Sequence, residues 1–303
     1  MNYTQLPLLI IAYLRPNDLS EILNKQIHTN RRIYLFIDRA NSVNLTLNKK
    51  VIKIADDFKN NSNFRFRISS ANLGVDMAVP KAIEWISNFE SKFIILEDDC
   101  HLTEDGFKFL DTTSKYISSD IVLISASSPW DIEPEYEYQF VSSLSTYPLI
   151  HGWCTSADNW KLISQFIGAK VPYIKAYLAM VKNPHRIISI SFFLASVIRV
   201  KRGSVKAWDS HVALAMLINE KKALIPNITM VTNTGNDLVA SNTFKVGSNS
   251  GVLRTSSNLK PSSTVSFSKS DTKLTDLKIE TSIYFMKKRH FFSPIKAKLF
   301  RRV

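Results

Sequence analysis

Glycine is scarce in this chain, with only 8 in 303 residues. A Rossmann dinucleotide turn and a Walker phosphate loop both need glycines where backbone approaches phosphate. The first strand-like run, "LPLLIIAY" (Leu6 to Tyr13), passes into "LRPND" with none. Both sites are therefore disfavoured. Cysteine is rarer still. Cys100 and Cys154 have no framework spacing, and a reduced cytosolic setting is the expectation. No apolar run reaches the roughly 18 residues of a transmembrane helix. The nearest, "IISISFFLASVIRV" (Ile187 to Val200), is short and carries serines, so it reads as a buried helix or a strand pair. The opening "MNYTQLPLLIIAYLRP" lacks a charged leader and a small-residue cleavage site, and reads as a first strand rather than a signal peptide. Acid is also in deficit. The formal net charge is +13, which points to phosphate-bearing partners: nucleic acid, anionic lipid or nucleotide-linked substrates.

What is present is a strand–helix alternation. "LPLLIIAY", "RIYLFID", "FRFRISS", "FIILED" and "DIVLISASS" read as strands. Between them, "PNDLSEILNKQIH", "NLTLNKKVIKIADDF", "VDMAVPKAIEWISNF" and "EDGFKFLDTTSKYI" carry apolar residues at helical spacing. Pro80 is expected near the start of its helix or at a kink. Apolar, unalternating strands separated by helices predict an α/β fold, a mostly parallel sheet covered on both faces. Beyond Trp130 the pattern loosens. "WDIEPEYEYQF" reads as an acidic aromatic loop, "NWKLISQFI" and "VPYIKAYLAMV" as short helices, "DSHVALAMLINEKK" as a helix and "ALIPNITMV" as a strand. The chain is expected to divide into an α/β domain over residues 1–238, a Ser/Asn/Thr-rich excursion or linker over 239–283, and a basic aromatic tail over 284–303.

"FIILEDDC" drives three carboxylates, Glu97, Asp98 and Asp99, onto the end of an apolar strand. Ligands of parallel α/β sheets bind outside the carboxyl ends of the strands. A divalent cation would relieve the mutual repulsion, and Mg²⁺ or Mn²⁺ is commonly held by one or two carboxylates plus phosphate oxygens. Taken alone, the triplet reads equally well as a solvated turn before a helix. Other strand ends carry Arg15, whose fork of donors suits phosphate, and Asp38, whose carboxylate can accept from a base imino group. Asn72 and Gly74 lie ahead of the fourth strand. Each also has a plain role as surface residue, turn cap or positive-φ glycine.

Five elements in order carry a resemblance: "LLIIAYLRPNDLSEIL", "YLFIDRAN", "IILEDDCHLTEDGFKFLD", "HGWCTSADNW" and "KAWDSHVALAM". Over roughly residues 6 to 235 the chain resembles GT-A-fold nucleotide-sugar glycosyltransferases. The closest group is that of the eukaryotic alpha-mannoside beta-1,2-N-acetylglucosaminyltransferase. The acidic triplet and the Trp-Asp pair are the specific parts. The resemblance implies an inverting transfer from a UDP-sugar with Mn²⁺ or Mg²⁺ as cofactor. Asp99 would be the metal ligand, with His211 a weaker candidate. Asp98 would face the ribose, Glu97 the donor sugar or metal shell, and Arg15 the diphosphate. Asp38 would read the uracil, and Asn72 would add a nucleoside contact. Trp208 would pack on the sugar, His151 and Trp153 would shape its pocket unless Trp153 is simply core, and Asp209 would be the general base. Asp209 also has the plain reading of a helix N-cap.

The chain is shorter than the eukaryotic enzymes and shows no anchor. It is expected to be a bacterial cytoplasmic relative that works on glycan or lipid-linked precursors of surface polysaccharide. The closing "SIYFMKKRHFFSPIKAKLFRRV" is expected to lie on the inner face of an anionic membrane. The alternatives are a sugar-phosphate nucleotidyltransferase, which lacks support without a glycine-rich opening, and a nucleic-acid-binding protein, disfavoured by acidic clusters in the central region.

Overall fold

The computed structural model describes residues 5–128, 140–167, 172–235, 265–267 and 276. In chain order the elements are β1 (Leu8–Ala12), α1 (Pro16–Gln26), β2 (Ile33–Ile37), α2 (Leu45–Phe58), β3 (Phe64–Ile68), α3 (Val75–Ser87), β4 (Lys92–Glu97), β5 (Cys100–Leu102), α4 (Glu104–Thr113) and β6 (Ile121–Ser125). They continue with β7 (Phe140–Ser145), β8 (Trp153–Ser156), α5 (Ala157–Ser164), α6 (Tyr173–Lys182), α7 (Ile187–Lys201), α8 (Asp209–Ile218), β9 (Lys222–Pro226), β10 (Val231–Asn233) and β11 (Val265–Phe267).

Nine strands form one sheet in the order β11-β7-β9-β6-β8-β4-β1-β2-β3. The architecture is α/β, a large central sheet flanked by helices. The expected parallel arrangement holds for β3, β2, β1 and β4. It breaks next: β8 slots antiparallel between β4 and β6. β8 has no strand reading in the sequence, because its four residues follow a glycine and show no long apolar run. β10 pairs antiparallel with β5 as a small second sheet.

Burial explains the strand composition. β1 and β2 are covered throughout. Leu8 and Ile10 pack into one core with α1 and α2, while Leu9 and Ile11 pack into the other with α3 and α5. That two-sided burial is why neither strand alternates polar and apolar residues. Edge strand β3 does alternate, and its exposed Arg65 and Arg67 discourage pairing with another chain.

Pro80 lies inside α3, in its second turn, and is buried. "IISISFFLASVIRV" is a helix, not a strand pair, and Ile187 and Ile188 at its start are exposed. The loop over 129–139 and most of 239–303, including the basic tail, lie outside the described residues. Two points of the expected excursion are tied to the sheet. β11 pairs parallel with β7. Asp276 is buried and accepts from Ser145 Oγ (2.8 Å), Thr146 N (2.9 Å) and Thr146 Oγ1 (2.8 Å).

Candidate active site

β1, β2 and β4 run parallel, so their carboxyl ends meet on one rim. Tyr13 to Arg15 follow β1, Asp38 follows β2, and the triplet ends β4. Tyr13 N donates to Asp98 Oδ2 at 2.8 Å, fastening the first rim segment to the third. Asp98 is buried. Burial raises its proton affinity most; the Tyr13 amide lowers it, Asp99 raises it and Arg15 lowers it, leaving a pKa of about 7. Glu97 is pushed further, to about 8, by burial and by the charges of Asp99, Asp98 and Asp209. Arg15 is buried, and its Nη1 lies 4.0 Å from Asp18 Oδ2. Asp18 in turn lies 2.9 Å from His101 Nε2.

Asp99 points toward β10. Its Oδ1 lies 3.4 Å from both Asn233 Nδ2 and Cys100 Sγ. Asn233 Nδ2 reaches His151 Nδ1 at 3.1 Å. A Cβ on Gly235 would sit 2.4 Å from Asp99 Oδ2, so backbone closes on this carboxylate as only glycine allows. His151 is also near enough to Asp209 to oppose, electrostatically, the rise in that carboxyl's proton affinity. A continuous run of contacts and fields thus links the triplet to the start of α8.

Asp209 is open to solvent at its tip. Protein crowded around it still raises its proton affinity, with the Ser210 amide and His151 opposing. Exposure together with crowding describes a group on a cleft wall. The sequence left base or helix cap open for Asp209, and the structure supplies a different cap. The N-cap position of α8 is Trp208, which makes no capping side-chain hydrogen bond. Asp76, in the first turn of α3, accepts from Ala207 N at 2.8 Å and also bonds the Trp208 amide. Asp209 Oδ1 takes only the adjacent Ser210 N at 2.9 Å, and no other side-chain bond reaches the carboxylate among the described residues.

Asp38 is buried, and its oxygens are heavily engaged. Oδ1 accepts from Leu73 N (2.9 Å) and Ser69 Oγ (3.0 Å), and Oδ2 from Gly74 N (2.9 Å) and more distantly Asn72 Nδ2 (3.4 Å). Gly74 has φ of 68°, which lets its N–H turn onto that carboxylate. Asp38 therefore builds the loop that presents Asn72. Asn72 itself is exposed and bonds Arg39 O (2.8 Å) and Tyr13 Oη (3.3 Å).

The tryptophans need correcting. Trp153 is 1 % exposed and sits in the core, so it is not a donor contact. Trp208 stacks on it at 6.4 Å and is itself buried, fixing the backbone that carries Asp209. His211, the weaker metal candidate, is buried on α8 with Nδ1 lacking a partner. Burial lowers its pKa, and no contact among the described residues joins it to the triplet. Tyr13, Asp18, Asp76, His101, Asn233 and Gly235 were not foreseen as site residues. Of these, only the "TNTG" turn carried any local signal, as a glycine beside Asn and Thr.

No protein-family model matches the chain, and no curated protein does. Solved structures give distant likenesses. A mannosyltransferase from Pyrobaculum calidifontis in complex with GDP-Man and Mn²⁺ is 9% identical, with TM-score 0.39, covering 71% of this chain and 70% of that one. The apo-form glycosyltransferase GlyE of Streptococcus pneumoniae is 13% identical, with TM-score 0.29, over 53% of this chain and 38% of that one. HddC from Yersinia pseudotuberculosis, complexed with GMP-PN, is 14% identical, with TM-score 0.28, over 50% of this chain and 77% of that one. At these scores the functional reading rests on the residues themselves.

Proposed function

We propose that the chain is an inverting, metal-dependent glycosyltransferase that moves a sugar from a UDP-sugar to a glycan or lipid-linked acceptor. The observation that supports it is the gathering of Glu97, Asp98 and Asp99 at the end of β4, fastened to the β1 rim through Tyr13 N and Asp98, with Asp209 exposed at the start of α8 and the Ala207 amide held by Asp76.

The donor set fits Mn²⁺ or Mg²⁺. Glu97, Asp98 and Asp99 offer hard oxygens, and like charge and burial already raise the proton affinity of the first two. Among the described residues no cluster of three or more His, Cys, Asp or Glu encloses a metal. The fit is to a cation held by one or two carboxylates, Asp99 first, and completed by donor oxygens. Bound there, it would offset the charge gathering on the diphosphate as the glycosidic bond breaks.

The chain's own residues supply the rest. Arg15, beside Asp18 and Asp98, faces the diphosphate. Asp38 holds the 69–74 loop so that Asn72 and Tyr13 border the nucleoside. Asp98, bound to Tyr13 N, lies toward the ribose, and Glu97, the member of the triplet on which Asp209 also acts, toward the sugar. Asp209 takes the acceptor hydroxyl proton as that oxygen attacks the sugar from the face opposite the nucleotide. Burial raises its proton affinity, the direction in which a carboxylate becomes a stronger base.

The test is a panel of UDP-sugars with Mn²⁺, scored for transfer or hydrolysis, with Asp99→Ala and Asp209→Ala alongside. Asp99→Ala should lose metal-dependent donor binding, and Asp209→Ala should bind donor and fail in transfer. Normal donor binding by Asp99→Ala overturns the metal assignment.

A further inference from the structure

α6 is built inside out. Ala176 and Ala179 are its buried residues, packed against α7 and α8 with Met180 beside them. Its large apolar side chains point to solvent: Tyr173 is 56% exposed, Ile174 77%, Tyr177 65%, Leu178 59% and Val181 59%. At about 3.6 residues per turn these five share one continuous face, roughly opposite the alanines. After the short turn at Pro184–Arg186, α7 opens with Ile187 (46%) and Ile188 (55%) exposed as well. A surface helix normally shows water its polar side and keeps its bulky residues within. A contiguous apolar patch of this kind marks an interaction site.

Charge identifies the occupant. From residue 159 to 208 the chain has nine Lys and Arg and no Asp or Glu. Lys175, Lys182 and His185 are exposed around the apolar face. Arg199, Lys201 and Arg202 are exposed at the far end of α7. The acid that meets this surface is Glu220, paired with Lys182 at 2.6 Å. A second copy of this chain would bring basic rim against basic rim. The closing segment 284–303 is basic too and gains nothing from lying here. An apolar face rimmed by cations is the arrangement of helices that lie in the headgroup layer of a bilayer.

We propose that α6 and the first turn of α7 dock on the surface of an anionic phospholipid bilayer. The apolar face enters the headgroup–acyl boundary, and the basic rim meets lipid phosphates. This surface is distinct from the basic tail and does not depend on the chemistry at Asp209. α8 packs directly on α6 and α7, so docking there would set the α8 helix close to the membrane plane.

The test is co-sedimentation of the full-length chain with phosphatidylcholine vesicles, with and without phosphatidylglycerol. The variants are Ile174→Ser/Tyr177→Ser/Leu178→Ser and, separately, Lys175→Glu/Arg186→Glu. Wild type should partition onto the anionic vesicles and not the neutral ones. Both variants should bind them about tenfold or more weaker with unchanged unfolding midpoints, because each removes one of the two attractions. Ile174→Ser alone, at the most exposed position, serves if the triple variant is poorly folded, and should weaken binding by a smaller factor. Binding equal to wild type in these variants overturns the proposal. So does a wild-type dimer that the triple variant turns into a monomer while vesicle binding is absent, since that assigns the face to self-association.

Discussion

The two ends of one sheet treat buried carboxylates in opposite ways. At the amino end Asp111 and Glu90, both buried, each have an arginine. Asp111 takes Arg31 in a two-pronged pair (3.0 and 2.8 Å) and also accepts from Leu6 N at 2.8 Å. Glu90 takes Arg32 Nη2 at 2.7 Å and Tyr34 Oη at 2.6 Å. At the carboxyl end the buried Asp98 is flanked by half-buried Glu97 and Asp99; Asp98, Asp99 and the exposed Asp209 act on Glu97, and Arg15, itself beside Asp18, acts on Asp98. The amino end is electrostatically complete and serves the fold. The carboxyl end is left with excess negative charge and grouped oxygens, which a cation and a diphosphate complement.

Breaking each end should therefore show in a different measurement. The largest effect belongs to Asp209→Asn: the transfer rate should fall about 10²–10⁴-fold, as for loss of a general base, with the unfolding midpoint unchanged. At the opposite end, Asp111→Ala strands a buried Arg31 whose Nε already lacks a partner. Denaturant unfolding should register a loss of about 3–5 kcal/mol, while donor affinity of the folded protein stays as it was. Asp76→Ala lies between the two. Loss of the cap should cost about 1 kcal/mol, and the larger consequence should be a fall in kcat with KM little changed, because the α8 start that carries Asp209 loses its tether. The smallest effect has the opposite sign. Glu97→Gln should raise the melting temperature of the metal-free protein at pH 7 by about 2 °C, since burial and neighbouring carboxylates make Glu97 take up a proton on folding and an amide avoids that cost.

The strand ends were legible in the sequence because an apolar run that stops abruptly in polar residues is a local pattern. β1, β2 and β4 and their terminal Arg15, Asp38 and Asp99 were found that way. β8 was not, since four residues between partners on both sides need no periodicity of their own. Asp76 could not be found locally: its bond to Ala207 spans 131 positions and depends on how α3 meets α8. Asp38 was read as a ligand for a base because a lone carboxylate in a sequence has no visible donors; in the fold, loop amides occupy it. Periodicity also predicted α6 as a helix and could not say which side faces out, because the period reports a two-faced helix and packing decides which face is buried.

The most direct test of the central claim, that the carboxyl end of the sheet is completed by a divalent cation and a nucleotide diphosphate, is thermal unfolding with Mn²⁺, with UDP, and with both. Wild type should be stabilised strongly by the pair and little by either alone, and Asp99→Asn should lose that joint stabilisation while keeping its own fold. An equal shift from UDP without metal, or a full joint shift in Asp99→Asn, would contradict the account.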